Sequence, residues 1–185
     1  MAIESAPGRL DWVAADFALA DTHGERHDLA GLRGPNGLLV MFICNHCPYV
    51  QGILDRICRD ARELQALGYG VVAVMSNDVA AYPDDAPDKM AALAAEHDFT
   101  FPYLFDASQN VARAYDAMCT PDFFGFDRDL RLVYRGRLDS CGKHPATPDL
   151  RRELFDALRQ VAAGETAPAA QRPSIGCSIK WRQDA

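Results

Sequence analysis

Cys44, Asn45, His46 and Cys47 form a C-x-x-C between an apolar run and a stretch of helical periodicity. Two cysteines at that spacing can interconvert a dithiol and a disulfide, or give two ligands to a soft metal. The run before them, Gly37 to Ile43, is too short to cross a membrane and reads as a fully buried strand. After them Ile53, Leu54, Ile57, Ala61, Leu64 and Leu67 recur at helical spacing. The first thiol thus falls at a helix start, where unpaired N–H groups and the helix dipole favour a thiolate. The thiolate is the reactive form of cysteine, so this arrangement points to thiol–disulfide chemistry.

The rest of the composition agrees with a globular redox domain. A chain of 185 residues makes one domain, and 49% apolar and 24% charged residues are ordinary for one. The net charge of −7 argues against nucleic acid, which needs a basic face. Arginines are scattered, with no basic run to hold a membrane and no 18-residue apolar segment. The start, MAIESAPGRLDW, lacks the charged and apolar regions of a signal peptide, so the cytoplasm is the expected compartment. Six cysteines there fit reduced, catalytic or metal-binding roles better than a disulfide framework.

Strands and helices alternate along the chain. Asp16 to Ala20 and Arg26 to Leu29 flank the turn signal Asp21-Thr22-His23-Gly24 and read as an N-terminal β-hairpin. Further strands are predicted at Leu38 to Phe42, Gly70 to Met75, Tyr103 to Phe105, Phe123 to Phe126 and Leu130 to Tyr134. A long helix is predicted from Cys47 to Leu67, with Gly68 as its cap. Another follows Pro87 with Met90, Leu93, Ala94 and His97 on one face, and a short one runs from Asp106 to about Ala117. The last is predicted from Thr147-Pro148 to Gly164, burying Leu150, Leu154, Leu158 and Val161. Residues 164–185 read as an Ala- and Pro-rich C-terminal tail of one domain spanning 1–185. The order implies an α/β fold, a mixed central β-sheet with helices on both faces.

These segments resemble the thioredoxin-like superfamily, in its alkyl hydroperoxide reductase/thiol-specific antioxidant branch and the peroxiredoxin-like relatives of that branch. The resemblance is carried by Phe17 to Gly24 with Leu29 and Leu32-Arg33-Gly34, by Phe42 to Val50, and by Cys119 to Asp127 with Tyr134-Arg135-Gly136. Ser76-Asn77-Asp78 and Ile175 to Trp181 resemble marks of a peroxiredoxin-like subfamily.

The resemblance implies a role for each motif residue. Cys44 would be the attacking thiol and Cys47 the resolving one, with His46 stabilising the Cys44 thiolate and raising the reduction potential. Thr120-Pro121 would hold a cis peptide bond beside the pair and leave the preceding backbone free for a substrate strand. Cys119 and Cys177 are possible third thiols, and Cys141 lies in a loop before the last helix. Cys58, roughly 16 Å along the predicted helix from Cys47, reads as packing. His23, His27, His97 and His144 read as solvated or packing residues, and Asp84, Asp85 and Asp88 as a solvated loop.

Three functions follow. The first is a thiol–disulfide oxidoreductase acting on protein or small-molecule disulfides and recharged by an unassigned thiol reductant, with no cofactor and no metal. The second is a peroxiredoxin-like thiol peroxidase with Cys47, before Pro48, as the peroxidatic cysteine. Against it, that family's pattern has Thr or Ser where Cys44 stands and Pro where Val40 stands. The third is a metal-binding module using Cys44 and Cys47 with Cys119 or His46, although zinc sites usually take four ligands. Nothing in the sequence signals an oligomeric state.

Overall fold

A computed structural model describes residues 1–8, 10 and 12–183. Its elements are β1 (Ala2–Glu4), β2 (Ala18–Asp21), β3 (Arg26–Asp28), α1 (Leu29–Leu32), β4 (Gly37–Phe42), α2 (Pro48–Gln51), α3 (Leu54–Ala66) and β5 (Tyr69–Met75). A 3₁₀ turn at Pro83–Asp85 leads into α4 (Pro87–Glu96), β6 (Tyr103–Phe105), α5 (Asn110–Ala114), β7 (Cys119–Thr120), β8 (Asp122–Phe126), β9 (Leu132–Gly136), α6 (Glu153–Ala162) and β10 (Ile175–Ser178).

The main sheet has the order β3-β2-β6-β5-β4-β8-β9. β4, β5 and β6 run parallel, while β8 and β2 pair antiparallel on either side. Every residue of β4 is buried, as its unbroken apolar run requires. Its side chains alternate between two cores. Leu39, Met41 and Ile43 pack with Ile57, Ala61, Leu64, Met90, Leu154 and Leu158 on one face. Leu38, Val40 and Phe42 pack with Leu29, Val111, Ala112 and Tyr115 on the other. Helices therefore cover both faces of a mixed sheet, a thioredoxin-like α/β fold as predicted. Each fully buried Leu or Phe contributes about 1.5–3 kcal/mol over leaving it in water, so the C-x-x-C is launched from a rigid strand.

The N-terminal hairpin forms as predicted. Asp21 Oδ1 accepts the His23 and Glu25 N–H groups at 2.8 and 3.0 Å, and Gly24 takes φ +82°.

Three segments differ from expectation. The helix after the cysteines is broken at Gly52-Ile53 into α2 and α3, because a loop strand of chain crosses there. A Cβ at Gly52 would run into the Lys143 carbonyl oxygen. The last helix begins at Glu153 rather than at Thr147, which lies in an exposed loop. The stretch read as a tail carries β10, which pairs antiparallel with β1 on one side and β7 on the other. The short strand β1 was not anticipated, since its three residues carry no periodicity.

Candidate active site

Cys44 and Cys47 leave the end of β4 and are buried, 1% and 0% exposed. Cys47 is the N-cap of α2, and its carbonyl accepts the Val50 and Gln51 N–H groups, both at 2.9 Å. Pro48 occupies the first helical position, where an N–H would have no partner. The strand opposite supplies Thr120, and the Thr120–Pro121 peptide is cis, as the resemblance implied. Thr120 Oγ1 lies 3.2 Å from Cys44 Sγ, and its carbonyl oxygen 3.1 Å from Cys47 Sγ. Both sulfurs therefore meet on Thr120, Cys44 at its hydroxyl and Cys47 at its carbonyl. The C-x-x-C, Thr120 and Pro121 thus come together.

A carboxylate that the sequence placed in solvent lies underneath. Asp85 is fully buried, not part of a solvated loop. Its Oδ1 accepts the N–H of Asn45 at 2.8 Å and that of His46 at 3.3 Å. Its Oδ2 lies 2.7 Å from His46 Nδ1 and accepts from Asn77 Nδ2 at 2.8 Å. The reason for burial is the number of donors: four N–H groups converge where water cannot reach, and a charged acceptor is the efficient way to satisfy them. Asn45 is locked as well. It donates to the Asp84 carbonyl, while its Oδ1 accepts from the Tyr103 hydroxyl at 3.1 Å and its carbonyl from Gln51 Nε2 at 2.9 Å. The His46 ring stacks on Tyr82, centroids 5.4 Å apart. No local pattern in the sequence marks Asp85, Asn77 or Tyr103 as neighbours of the cysteines.

The thiols are polarised oppositely to expectation. Cys47 is pulled well below the usual thiol range, first by the hydrogen bond from Cys44 and then by donors on Cys177 and Thr120. Cys44 is pushed up by that same hydrogen bond, by burial and by the Asp85 carboxylate. The contact of Cys47 Sγ with the Thr120 carbonyl, and its burial, oppose ionisation. The direction of these shifts favours Cys47, where the sequence pointed to Cys44. Two causes are missing from the sequence: α2 is only four residues long, so its dipole is small, and the buried Asp85 carboxylate lies near Cys44.

The other cysteines separate clearly. Cys177 lies opposite Thr120 in the β10–β7 ladder, and its donors help to lower the Cys47 thiol. Cys119 points away, toward the Pro121 carbonyl 3.5 Å from its Sγ, with its thiol pushed up by burial and by Asp122. Cys141 Sγ contacts Thr147 Oγ1 at 3.4 Å in the exposed loop. Cys58 is buried in α3, pushed up to about 11 by burial, and packs as expected. The backbone beside Pro121, expected to be open, is covered by β10, whose Gly176 lets the strands approach: a Cβ there would strike the Thr120 carbonyl. Asn77 ties this strand to the site, its Oδ1 accepting the Lys180 N–H at 2.8 Å while its Nδ2 donates to Asp85.

Beside the pair lies a largely apolar groove of about 300 Å³ walled by Tyr49, Ile53, Pro121 and Phe123. Arg56 holds its rim, donating to Asp139 Oδ2 at 2.7 Å, to the His144 carbonyl at 3.0 Å and to the Gly142 carbonyl.

Cys44, His46 and Asp85 also place donor atoms within 4.8 Å of one another, as a metal ligand set would. Asp85 has both oxygens engaged by N–H donors, and the group offers three donors where zinc usually takes four. Cys119 faces away from it. The hairpin trio Asp21, Glu25 and His27 is close enough too, but His27 is bonded to Asp21 at 3.0 Å.

A C-x-x-C at the end of a central parallel strand, facing a cis-proline strand, defines a thioredoxin-like protein. More narrowly, the AhpC/TSA family model matches residues 11–135, and the chain belongs to that family. The chain is similar over its whole length to an uncharacterized conserved protein of Geobacillus kaustophilus, with 42% identity, 98% of that chain covered and a TM-score of 0.95. A hypothetical protein of Sinorhizobium meliloti 1021 is 40% identical with a TM-score of 0.93, over 98% of this chain and 99% of the other. The thioredoxin domain of a thiol-disulfide oxidoreductase from Bacteroides vulgatus shares the fold at 14% identity and a TM-score of 0.58, over 70% of this chain and 89% of the other. No curated protein matches the chain at a significant level. Among the described residues no helix is long and apolar enough to cross a membrane.

Proposed function

We propose that the protein is a thiol–disulfide oxidoreductase in which Cys44 and Cys47 interconvert between dithiol and disulfide, with Cys47 as the standing thiolate. The observation that carries this reading is the meeting of both sulfurs on Thr120, beside the cis Pro121. In the reduced state Cys44 donates its proton toward Cys47 and shares it there. Oxidation joins the two sulfurs and releases that proton. Burial keeps bulk solvent away, so the pair forms a disulfide rather than a lasting sulfenic acid. The substrates are disulfides of proteins or small molecules, and a thiol reductant returns the pair to the dithiol.

A second reading is favoured by one specific observation. The acidic thiol is Cys47, followed by Pro48, the position of the peroxidatic cysteine in the resemblance, while Cys44 stands where that pattern has a hydroxyl. A peroxide that reached Cys47 would oxidise it, and Cys44 would capture the sulfenic acid. Without the hydroxyl to align the peroxide, this should be slow.

One pair of assays separates the two: dithiothreitol-dependent insulin reduction and stopped-flow oxidation of the reduced protein by hydrogen peroxide. Disulfide turnover with slow peroxide oxidation is expected. A peroxide rate of about 10⁵ M⁻¹s⁻¹ or more, within the range of efficient enzymes, with no insulin reduction would replace the first reading by the second.

A further inference from the structure

The reactive pair has an access problem. At 1% and 0% exposure, neither Cys44 nor Cys47 offers its sulfur to a thiol on another molecule. Exchange requires in-line attack on a sulfur, which a buried disulfide does not allow. A third sulfur is built into the cover itself. Cys177 lies on β10 directly opposite Thr120, and opposed residues in an antiparallel ladder project to the same face. That face is the one on which Thr120 Oγ1 meets Cys44. Cys47 Sγ lies 3.1 Å from the carbonyl of Thr120, the residue that Cys177 faces across the ladder, and unlike the other two Cys177 is partly exposed. β10 is held in this register from both sides, by Ser178 N–H to the Met1 carbonyl at 3.2 Å and Ile179 N–H to the Met118 carbonyl at 3.0 Å. Cys47 is thus the common neighbour of one inner and one outer thiol.

We propose that Cys177 is the exit thiol of a three-cysteine relay, carrying disulfide exchange between the buried Cys44–Cys47 pair and thiols in solution. This rests on the reading of Cys44 and Cys47 as a redox pair and adds how a partner addresses it. Starting from the Cys44–Cys47 disulfide, Cys177 gives up its proton and attacks Cys47 Sγ. The Cys44–Cys47 bond breaks, Cys44 leaves and takes up a proton, and a Cys47–Cys177 disulfide results. An external thiol then attacks Cys177 Sγ on its exposed side, expelling Cys47 and forming a mixed disulfide with Cys177. A second external thiol attacks the partner's sulfur of that mixed disulfide. It releases the external disulfide and returns Cys177 as a thiol. Two external thiols have been oxidised and the pair reduced by two electrons. Run in reverse, the same steps reduce an external disulfide. In the attack on Cys177 by the external thiol the leaving group is Cys47, and an acidic thiol leaves faster.

The test uses the full chain, with circular dichroism to confirm folding of each variant. Cys44→Ser treated with diamide should yield a Cys47–Cys177 disulfide in peptide mass spectra. In Cys177→Ser the Cys44–Cys47 disulfide should still form, but its reduction by glutathione should slow about tenfold or more, as expected when the accessible sulfur is lost. Cys141→Ser should leave both measurements unchanged. No Cys47–Cys177 link in folded Cys44→Ser, or an unchanged glutathione rate in Cys177→Ser, would overturn the relay while leaving the redox pair intact. If the wild type itself forms no Cys44–Cys47 disulfide, the underlying reading falls and the relay with it.

Discussion

Asp85 Oδ2 lies 2.7 Å from His46 Nδ1, with the carboxylate fully buried and the imidazole about a quarter exposed. The histidine of the C-x-x-C is therefore held by a buried carboxylate. The carboxylate also faces Cys44 and opposes a negative charge there. An isolated His46 would have raised the reduction potential by favouring the thiolate. Asp85 holds that imidazole by a hydrogen bond and works against the thiolate.

Removing the carboxylate should reveal this balance. Asp85→Asn is expected to stabilise the dithiol and raise the potential by tens of millivolts, about 30 mV corresponding to about 1.4 kcal/mol. His46→Ala should move it the other way by less. The wild-type value is expected between about −270 and −120 mV, the range spanned by thioredoxin and the oxidant DsbA. Glutathione redox titrations read all three. Asp85→Asn should also lose roughly 1–3 kcal/mol of stability in urea, because one face of the amide repels an N–H that the carboxylate accepted.

The pH dependence of the potential follows from the polarised thiols. Cys47 is depressed and Cys44 raised, so between their titrations the reduced protein carries one thiolate. Reduction then takes up one proton for two electrons. The potential should fall by about 30 mV per pH unit rather than about 59 mV, the slope of a two-proton couple. The linkage has the same sign. The depressed Cys47 contributes stability to the reduced protein above the ordinary thiol value of about 8.5. That contribution is lost as pH falls toward the folded-state value. The stability advantage of reduced wild type over Cys47→Ser should shrink accordingly on acidification.

The sequence carried the parts of this molecule whose signals are local. The apolar run of β4, the alternation that splits it between two cores, the Asp21 hairpin and the C-x-x-C were all readable from residue types and spacing. The cis Thr120–Pro121 peptide came from resemblance. What escaped depends on contacts distant in sequence. Asp85 looks like any acid between two prolines, and only the convergence of Asn45, His46 and Asn77 on it explains its burial. The strand β10 has four residues in a Pro- and Ala-rich stretch, and its partners, β1 and β7, are at the other end and middle of the chain. The reversal of the thiols needed both.

Gly176 should be the weak point of the cover. A Cβ at this position would strike the Thr120 carbonyl, so Gly176→Ala must push β10 away from β7. Iodoacetamide labelling of Cys47 in the reduced variant should accelerate about tenfold or more, the gain in access outweighing the loss of the donors on Cys177. Equal labelling rates in variant and wild type would mean that β10 does not control access.

Arg56 should matter for the groove rather than for the thiols. Arg56→Ala leaves Asp139 buried without its partner, a change that costs about 3–5 kcal/mol when a buried pair is broken. Thermal unfolding should show the loss, and the reduction potential should stay within error of wild type.

The most direct measurement is the disulfide map of the wild-type protein. Reduced protein is oxidised with one equivalent of a disulfide oxidant, quenched under thiol-blocking alkylation and digested for mass spectrometry. A Cys44–Cys47 linkage should dominate, with Cys58, Cys119 and Cys141 alkylated. A dominant bond elsewhere, with Cys44 and Cys47 both alkylated, would contradict the assignment of these two cysteines as the redox pair.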